Sequence, residues 1–397
     1  MQEELIRFSN ISDFMPALRH FFGLLLIVHL TGCNGLQKIQ NEIDAISSDF
    51  VPDKRTGICS IRVEKGMEKS LTLTGETTSR GAKEAIINAL YNNDKKLIDN
   101  ILILPDTSSN KRYLGLATLS VINLRKEPDH TSELVSQAVL GTPVLILKDK
   151  GSWLMIQTPD NYISWTEMSS IRRATRQEIE EWKHSDRMIF VPPSGWIYSN
   201  PSETGVTGDL VAGCIISRTG ETDHHFKIIL PDGREGFVHK QSLMTLKAFM
   251  EDTVTGDQIV SKAESLLGVP YLWGGSSTKG MDCSGFVQVV FFMNRLILGR
   301  DASLQALQGD SVDISKGFGS LNKGDLLFFG SDNRISHVAI YKGDGEYIHA
   351  SGMVLINSLD STRSNFNSYR RNSLVKAMRI LVSKDLSIVP VSKHEWY

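Results

Sequence analysis

A glycine-rich segment between Tyr271 and Phe286 constrains the fold of this chain more than any other part of the sequence. It reads Tyr-Leu-Trp-Gly-Gly-Ser-Ser-Thr-Lys-Gly-Met-Asp-Cys-Ser-Gly-Phe and places Cys283 between an acidic residue and a Ser-Gly pair. The apolar run that follows is typical of a buried helix, which we expect to extend to about Leu298. Unpaired N–H groups and a partial positive charge at the start of such a helix favour the thiolate form of cysteine. The segment therefore predicts a nucleophilic thiol.

Two histidines further along the chain are candidates for the base and for a residue that orients it. His337 lies in the predicted strand 335–341, and His349 lies in the predicted strand 347–350. The Lys-Gly-Asp-Gly sequence between them is typical of a turn. Because each histidine is six residues from Gly343, a hairpin centred there would place the two rings opposite each other on one face. A slip of one residue would separate them. The alternative is that all three residues belong to an ordinary core.

Length and charge limit the possible functions. A chain of 397 residues is too long for one compact core, so two to four domains are expected. The hydrophobic fraction of 41% and the charged fraction of 22% are ordinary for a globular protein. The formal net charge is −2 and the sequence contains no basic run, so nucleic-acid binding is not expected.

Changes in pattern along the chain predict a multidomain protein. Residues 34–112 combine helical and strand patterns and predict a small α/β subdomain. Short strand-like runs separated by turn residues predict small β-barrels at 113–172 and at 188–249, with a charged linker helix at 173–187 between them. Residues 253–397 place helices before antiparallel strands and predict an α+β domain.

The N-terminal segment 1–33 has the pattern of an export signal. Arg19 and His20 precede an apolar run that is too short to span a bilayer, and Leu-Thr-Gly-Cys33 follows it. Acidic residues near Met1 fit such a signal poorly, so Met15 is the alternative start. Leu-Thr-Gly-Cys resembles the bacterial lipoprotein motif, which implies lipidation of Cys33. The other interpretation is a buried helix with a coincidental cysteine.

The remaining polar clusters offer fewer candidates. If Cys33 is lipidated, three cysteines remain, and Cys59 and Cys214 are predicted to be small buried residues rather than a disulfide. The pair His224 and His225 has no Cys, Asp or Glu at ligand spacing in a helical context, so we predict solvated loop histidines and no metal site.

The segment around Cys283 and the two histidine strands resemble the NlpC/P60 family of cysteine peptidases, which cut bacterial cell-wall peptides. The resemblance implies a papain-like α+β catalytic domain at 253–397, with Cys283 as nucleophile, His337 as base and His349 as the orienting residue. It also implies an oxyanion site formed by the backbone N–H of Cys283 with a further group such as the Tyr271 hydroxyl. No metal or organic cofactor is implied.

The upstream barrels resemble bacterial SH3 domains. Val-Ile-Asn-Leu-Arg-Lys-Glu-Pro at 121–128 matches the opening of that family, and 231–237 matches a later hairpin. Two SH3-like barrels before the catalytic domain resemble the YkfC-like γ-D-glutamyl-L-diamino acid endopeptidases. That resemblance implies that the substrate is a murein peptide such as L-Ala-γ-D-Glu-diaminopimelate, recognised through its free N-terminal L-Ala.

The same resemblance implies a set of substrate-binding residues. Tyr271, Ser284 and Asp301 are expected to contact the substrate, with Asp301 binding the free amine; a loop cap or an ion pair with Arg300 is the alternative role for Asp301. Tyr162 is expected to line the site from the first barrel. Glu133 is a further acidic partner for the amine, with Glu127 as its competitor.

Three functions remain in competition at this point. The first is a cysteine endopeptidase that acts on released murein peptides from a lipid-anchored or exported position in the cell envelope. The second is an NlpC/P60 hydrolase that remodels intact peptidoglycan, with the SH3-like barrels as wall-binding modules. The third is a non-catalytic wall-binding lipoprotein, which the presence of Cys283, His337 and His349 disfavours.

Overall fold

The computed structural model describes residues 19–67, 70–91, 96–107, 111–251, 253–331 and 334–397, with the backbone alone for 19–34. The lipidation predicted at Cys33 and the first part of the predicted signal therefore lie outside the described residues. The chain divides into two compact units. One contains the residues up to Lys54 with Ile58–Ile103, and the other contains Arg55–Gly57 with Leu104–Tyr397.

The first unit is a small α/β structure. Its elements are α1 (Arg19–Phe50), β1 (Cys59–Lys65), β2 (Leu71–Thr77), α2 (Arg80–Tyr91) and β3 (Leu97–Ile103). Strand β2 pairs antiparallel with β1 and parallel with β3, because α2 carries the chain across the sheet between them. Ile43 of α1 and Ile86 of α2 are fully buried against Leu73 of β2. In the part of the chain that is described, no helix combines the length and apolarity required to cross a membrane.

The second unit begins with two sheets that, within the described residues, contain seven strands each. The first has the order β10-β4-β7-β8-β9-β5-β6. Its strands are β4 (Leu114–Ala117), β5 (Val121–Arg125), β6 (Leu134–Val139), β7 (Pro143–Lys150), β8 (Trp153–Gln157), β9 (Ile163–Glu167) and β10 (Ile171–Ala174). Alternate residues of β5, β7 and β8 point into one apolar core, which explains the strand-like pattern in the sequence.

A short helix connects the two sheets. Helix α3 (Arg176–His184) begins at a capping box in which the Thr175 hydroxyl and the Glu178 carboxylate each accept a backbone N–H. The second sheet has the order β13-β12-β16-β15-β14-β11-β17. Its strands are β11 (Arg187–Phe190), β12 (Ser194–Tyr198), β13 (Val206–Val211), β14 (Ile215–Glu221), β15 (His225–Ile229), β16 (Glu235–His239) and β17 (Leu243–Thr245).

The last part of the second unit packs helices on an antiparallel sheet. After α4 (Leu246–Glu251) its helices are α5 (Gly256–Glu264), α6 (Cys283–Phe292), α7 (Ala302–Gln305) and α8 (Ser368–Asn372). Short strand pairs are formed by β18 (Ser276–Ser277), β19 (Gly280–Met281), β20 (Leu296–Ile297) and β27 (Val389–Pro390). The main sheet contains β21 (Asp310–Ser311), β22 (Leu326–Ser331), β23 (Arg334–Gly343), β24 (Glu346–Ser351), β25 (Met353–Ser358) and β26 (Leu374–Arg379), in the order β21-β26-β22-β23-β24-β25.

Helix α6 is central to this arrangement. Its side chains Phe286 and Val290 are fully buried against Val338 of the main sheet. The prediction that this helix extends to Leu298 is wrong, since α6 ends at Phe292. Arg295 adopts a left-handed backbone with φ of 67°, and β20 then pairs with β27.

Candidate active site

The site is organised by the first turn of α6, where Cys283 is the first helical residue. Asp282 precedes it in an extended conformation, and its Oδ1 accepts a hydrogen bond of 2.7 Å from the N–H of Gly285. A Cβ at Gly285 would lie 2.0 Å from the carbonyl oxygen of Gly275, so only glycine allows the loop to pass so close to the helix. The cap and this close contact together fix the position of the Cys283 sulfur.

The hairpin that carries the histidines has a different register from the one predicted. The turn is centred on Asp344 and Gly345, both with positive φ, and Tyr341 pairs with Tyr347. His337 and His349 are therefore diagonal neighbours and not directly opposed. An irregularity between Tyr341 and Gly343 inserts one residue into β23, and without it the two histidines would lie on opposite faces of the sheet.

The imidazoles nevertheless form one hydrogen-bonded chain. Nε2 of His337 lies 2.7 Å from Nδ1 of His349, and Nε2 of His349 lies 3.0 Å from Oδ1 of Asn357. The two rings meet edge to face with centroids 4.9 Å apart. This chain uses Nε2 of His337 and leaves its Nδ1 available, and the backbone N–H of the neighbouring Val338 lies near enough to the Cys283 sulfur to lower the pKa of the thiol. The geometry thus matches a base held by an orienting residue.

The environment keeps the thiol and the base neutral. Burial, followed by the nearby Asp282 carboxylate, raises the pKa of Cys283 to about 11. Burial, followed by Arg370 and His349, lowers the pKa of His337 to about 2. Desolvation therefore opposes the preference for the thiolate that is expected at a helix N-terminus. Neutral His337 can accept the proton as the thiol attacks.

The same shifts predict how stability depends on pH. Burial, with Arg370, also lowers the pKa of His349 to about 4, against an ordinary value of 6.5. Below about pH 6.5 the unfolded chain therefore binds protons at these two histidines that the folded chain does not. Their contribution to the free energy of unfolding is fully present above about pH 6.5 and is lost as the pH falls below that value. We expect the free energy of unfolding to fall by up to about 1.4 kcal/mol per pH unit for each of the two histidines.

Urea titrations between about pH 7 and about pH 5 measure this slope. The His349→Asn variant should lose about half of the slope. An equal slope in His349→Asn and the wild type would contradict the assignment.

A buried ion pair lies behind the cap of α6. Nη1 of Arg300, which is 1% exposed, lies 3.0 Å from Oδ1 of Asp282 and 3.0 Å from the Ser284 hydroxyl. Arg300 Nε also lies 3.1 Å from the hydroxyl of Ser136 in the first seven-stranded sheet. Burial opposes the charge of Arg300, but the Asp282 carboxylate holds its pKa above the ordinary value. The Ser284 hydroxyl, predicted to contact substrate, faces this buried network.

Asp301 has a different partner from those expected. Its side chain neither caps α7 nor pairs with Arg300; instead Oδ2 lies 2.7 Å from Nη1 of Arg55. Both alternative roles given to Asp301 from the sequence are therefore wrong. Tyr162 lies near Asp301, just before β9, and burial, followed by that carboxylate, raises the pKa of its hydroxyl. The structure thus brings Asp301 and Tyr162 together, as expected from the family resemblance, and adds Arg55.

Glu133 and the Trp273 indole link the first seven-stranded sheet to the loop before Cys283. Oε1 of Glu133 accepts a hydrogen bond of 2.9 Å from Nε1 of Trp273, a residue that is 64% exposed. Gln137 adds a stronger link: its amide oxygen accepts from the Ser276 backbone at 3.1 Å and from the Ser277 hydroxyl at 2.9 Å. This sheet therefore forms one wall of the site. Glu127, the alternative to Glu133 as the acidic partner of the substrate amine, is exposed.

Tyr271 lies beside Cys283. Its backbone N–H donates to the carbonyl of Gly352 at 2.8 Å, which anchors the loop to the turn between β24 and β25. Burial, followed by the proximity of Cys283 and Asp282, raises the pKa of its hydroxyl to about 12. A protonated hydroxyl at this position can donate to a developing oxyanion.

Asn357, Arg55 and Gln137 are not among the site residues predicted from the sequence. Asn357 could have been found as a polar residue on the strand that follows the histidine hairpin. Arg55 and Asp301 are 246 residues apart, and Gln137 and Ser277 are 140 apart, so no local pattern marks either pair.

Comparison with known proteins identifies the family. Residues 268–379 match the NlpC/P60 family model, and residues 124–171 match that of the bacterial dipeptidyl-peptidase Sh3 domain. Dipeptidyl-peptidase 6 of Lysinibacillus sphaericus is 30% identical over 250 residues, which cover 60% of this chain and 89% of that protein. A gamma-D-glutamyl-L-lysine dipeptidyl-peptidase of Bacillus cereus is 28% identical over 233 residues, covering 56% of this chain and 68% of that protein.

A solved structure shares the fold. The crystal structure of an NlpC/P60 family protein from Bacillus cereus ATCC 10987 has a TM-score of 0.59 at 23% identity, and the match covers 68% of this chain and 99% of that one. Since the family model spans Cys283, His337 and His349 and a relative is matched over most of its length, this chain belongs to the NlpC/P60 family of cysteine peptidases and combines its catalytic domain with a bacterial SH3-like domain.

Proposed function

We propose that this protein is a cysteine endopeptidase that cleaves the bond between γ-D-Glu and the diamino acid in murein peptides with a free N-terminal L-Ala. The observation that carries the proposal is the hydrogen-bonded chain from His337 through His349 to Asn357, next to Cys283 at the start of α6. The names of two relatives support this proposal. One is a dipeptidyl-peptidase, which fits release of the dipeptide L-Ala-γ-D-Glu, and the other is a gamma-D-glutamyl-L-lysine dipeptidyl-peptidase, which fits cleavage after γ-D-Glu.

The proposed reaction has two steps. In the first, Nδ1 of His337 accepts the Cys283 proton as the sulfur attacks the γ-glutamyl carbonyl, and the oxyanion accepts hydrogen bonds from the Cys283 N–H and the Tyr271 hydroxyl. The C–N bond then breaks, and His337 returns the proton to the departing amine of the diamino acid. In the second step His337 removes a proton from water, which attacks the thioester and releases the L-Ala-γ-D-Glu carboxylate and the thiol.

The proposed amine subsite lies at the wall formed by the first seven-stranded sheet. Asp301 would accept hydrogen bonds from the ammonium group, with the Tyr162 hydroxyl against the same carboxylate. Glu133, held by Trp273, would add negative charge at the rim of the cleft. Arg55 already pairs with Asp301, and a guanidinium beside an ammonium group weakens its binding, so Arg55 would limit the preference for a free amine.

Two substitutions test this subsite. Asp301→Asn should lower kcat/KM for the free-amine tripeptide by about 10-fold or more, because a charge-assisted hydrogen bond contributes about 1.5–3 kcal/mol. Arg55→Gln should raise the same kcat/KM several-fold by removing the competing cation. Neither change should alter kcat/KM for the N-acetylated tripeptide, which serves as the control. Equal losses for both peptides in Asp301→Asn would contradict amine recognition.

A second function is favoured by the Arg55–Asp301 pair itself. A carboxylate that is already neutralised selects a free amine less strongly, so an NlpC/P60 hydrolase that acts on intact peptidoglycan is the alternative. In that case the second seven-stranded sheet would serve as a wall-binding module. We propose that this sheet is a second SH3-like barrel and that the first unit is a small α/β N-terminal subdomain. Cleavage of glycan-linked stems at a rate similar to that of free tripeptide would favour this alternative.

The bond that is cleaved is tested by mass spectrometry of products. Digestion of L-Ala-γ-D-Glu-diaminopimelate should give the dipeptide L-Ala-γ-D-Glu and free diaminopimelate. Release of free alanine, or no turnover of any defined muropeptide, would overturn the proposal.

We also propose that the protein is exported and anchored in the cell envelope through a lipid on Cys33. The basis is the Leu-Thr-Gly-Cys sequence after a short apolar run, in a family whose members act on cell-wall peptides. A metabolic fatty-acid label should appear on the wild-type protein and be absent from the Cys33→Ser variant. A label retained by that variant would contradict the anchor.

A further inference from the structure

We propose that Glu203, His225 and His239 in the second seven-stranded sheet form a binding site for a divalent transition-metal ion, with Zn²⁺ as the best match. The site lies in a part of the protein to which the catalytic reaction assigns no role. Its side chains offer two imidazole nitrogens and one carboxylate oxygen, a donor set that suits Zn²⁺.

The prediction of solvated loop histidines at 224 and 225 is wrong for His225. His225 begins β15 and is 4% exposed. It pairs directly with His239 of β16, and the two rings are tilted by 32° to each other with centroids 4.4 Å apart. Tyr198 closes one side of the pair, with its ring edge-on to both imidazoles. The histidines are therefore fixed in position by the sheet and by aromatic packing.

The third donor comes from the turn between β12 and β13. Oε1 of Glu203 lies 3.2 Å from Nε2 of His225 and 3.3 Å from Nε2 of His239. All three donor atoms lie within 4.8 Å of one another. Ligands at about 2.0 Å from a tetrahedral Zn²⁺ are separated from one another by about 3.3 Å, so the two measured edges match those of such a site.

Charge also favours a cation here. Among the residues that the structure describes, no lysine or arginine forms an ion pair with Glu203, whose ionic contacts are the two histidines. When both imidazoles are neutral, the carboxylate has no positive partner. A divalent cation would supply it and would use the Nε2 lone pairs of both rings.

The exposure of the donors indicates where the fourth ligand comes from. His225 is buried, but the side chains of Glu203 and His239 are 39% and 36% exposed. Solvent therefore has access to one side of the cluster, and water would complete the coordination. A bound ion would join the 200–205 turn to the hairpin of β15 and β16 and would stabilise this sheet.

Binding is tested with tag-free full-length protein carrying Cys283→Ser, which removes the catalytic thiol as a competing ligand. Isothermal titration should detect one Zn²⁺ ion bound per chain, and Co²⁺ should give the intense visible absorption of a tetrahedral complex, which Zn²⁺ abolishes. Glu203→Gln and His239→Gln should each weaken Zn²⁺ binding by about 100-fold or more, since loss of even an outer-shell partner costs about 10- to 100-fold. His224→Ala, which changes the adjacent histidine outside the cluster, is the matched control and should bind Zn²⁺ as tightly as its parent.

Thermal unfolding provides a readout that is independent of the titration. Zn²⁺ should raise the Tm of the parent and of His224→Ala, and this increase should be absent in Glu203→Gln and His239→Gln. The proposal is overturned if the parent does not bind Zn²⁺, or if both ligand variants, folded as judged by circular dichroism, bind it as tightly as the parent does.

Discussion

Replacing Cys283 by alanine is expected to lower the rate of murein peptide hydrolysis by about 10⁴-fold or more, because the variant has no atom that can form the thioester. The fold should survive, since the sulfur forms no disulfide and its main contacts are apolar. The measurement is the kcat of the purified variant with the free tripeptide, with Tm recorded alongside.

Cys214→Ala is the matched control for this loss. Cys214 is also a buried free cysteine, but it lies in the core of the second seven-stranded sheet, where burial raises the pKa of its thiol to about 12. The control should keep its kcat while losing some stability. Unchanged turnover in Cys283→Ala would show that Cys283 is not the nucleophile, and absence of turnover in the wild type would favour the interpretation as a non-catalytic wall-binding lipoprotein.

The second large effect concerns stability. Arg300→Met should lower the free energy of unfolding by about 3–5 kcal/mol, because it leaves the carboxylate of Asp282 buried without its cation. The same change releases the hydrogen bonds to Ser284 and Ser136, so we also expect activity to fall as the cap of α6 loosens. Urea unfolding of the variant and the wild type measures the loss.

Two further variants test whether the loss of stability in Arg300→Met comes from leaving one charge unpaired in a buried position. The double variant Asp282→Asn with Arg300→Met should recover part of the stability, since asparagine can still cap α6 and neither charge remains. Removing an exposed pair through Lys323→Ala should cost about 1 kcal/mol or less, because its partner Asp257 is 80% exposed. A loss in Arg300→Met as small as the one in Lys323→Ala would show that the buried pair does not stabilise the site.

Local sequence patterns were sufficient to select Cys283, His337 and His349 as candidate catalytic residues, but not to predict the register of the hairpin that carries the two histidines. Cys283 lies in a glycine-rich segment before an apolar run, and both histidines lie in strands, so each could be recognised from its neighbours. Arithmetic around Gly343 could not show that β23 contains an extra residue or that the turn is centred on Asp344 and Gly345. The irregularity in β23 could not be predicted from the local sequence because it depends on how β23 pairs with β24.

Contacts between distant segments lay beyond sequence reasoning altogether. Arg55 pairs with Asp301, and Glu203 meets His225 and His239, only after separate turns and sheets have folded together. The desolvation of Cys283 could not be predicted from local sequence either. A helix N-terminus favours the thiolate, but the burial of Cys283 opposes it, and no local pattern reveals that burial.

The choice of substrate tests the central claim most directly. A competition assay would contain equal concentrations of the free tripeptide, its N-acetylated form and a glycan-linked stem, with the rate constants for cleavage at the γ-D-Glu bond read by mass spectrometry. We expect the free tripeptide to be cleaved at least about 10-fold faster than either blocked form, the discrimination that one charge-assisted hydrogen bond to Asp301 provides. Equal rates for all three substrates would contradict recognition of a free N-terminal L-Ala.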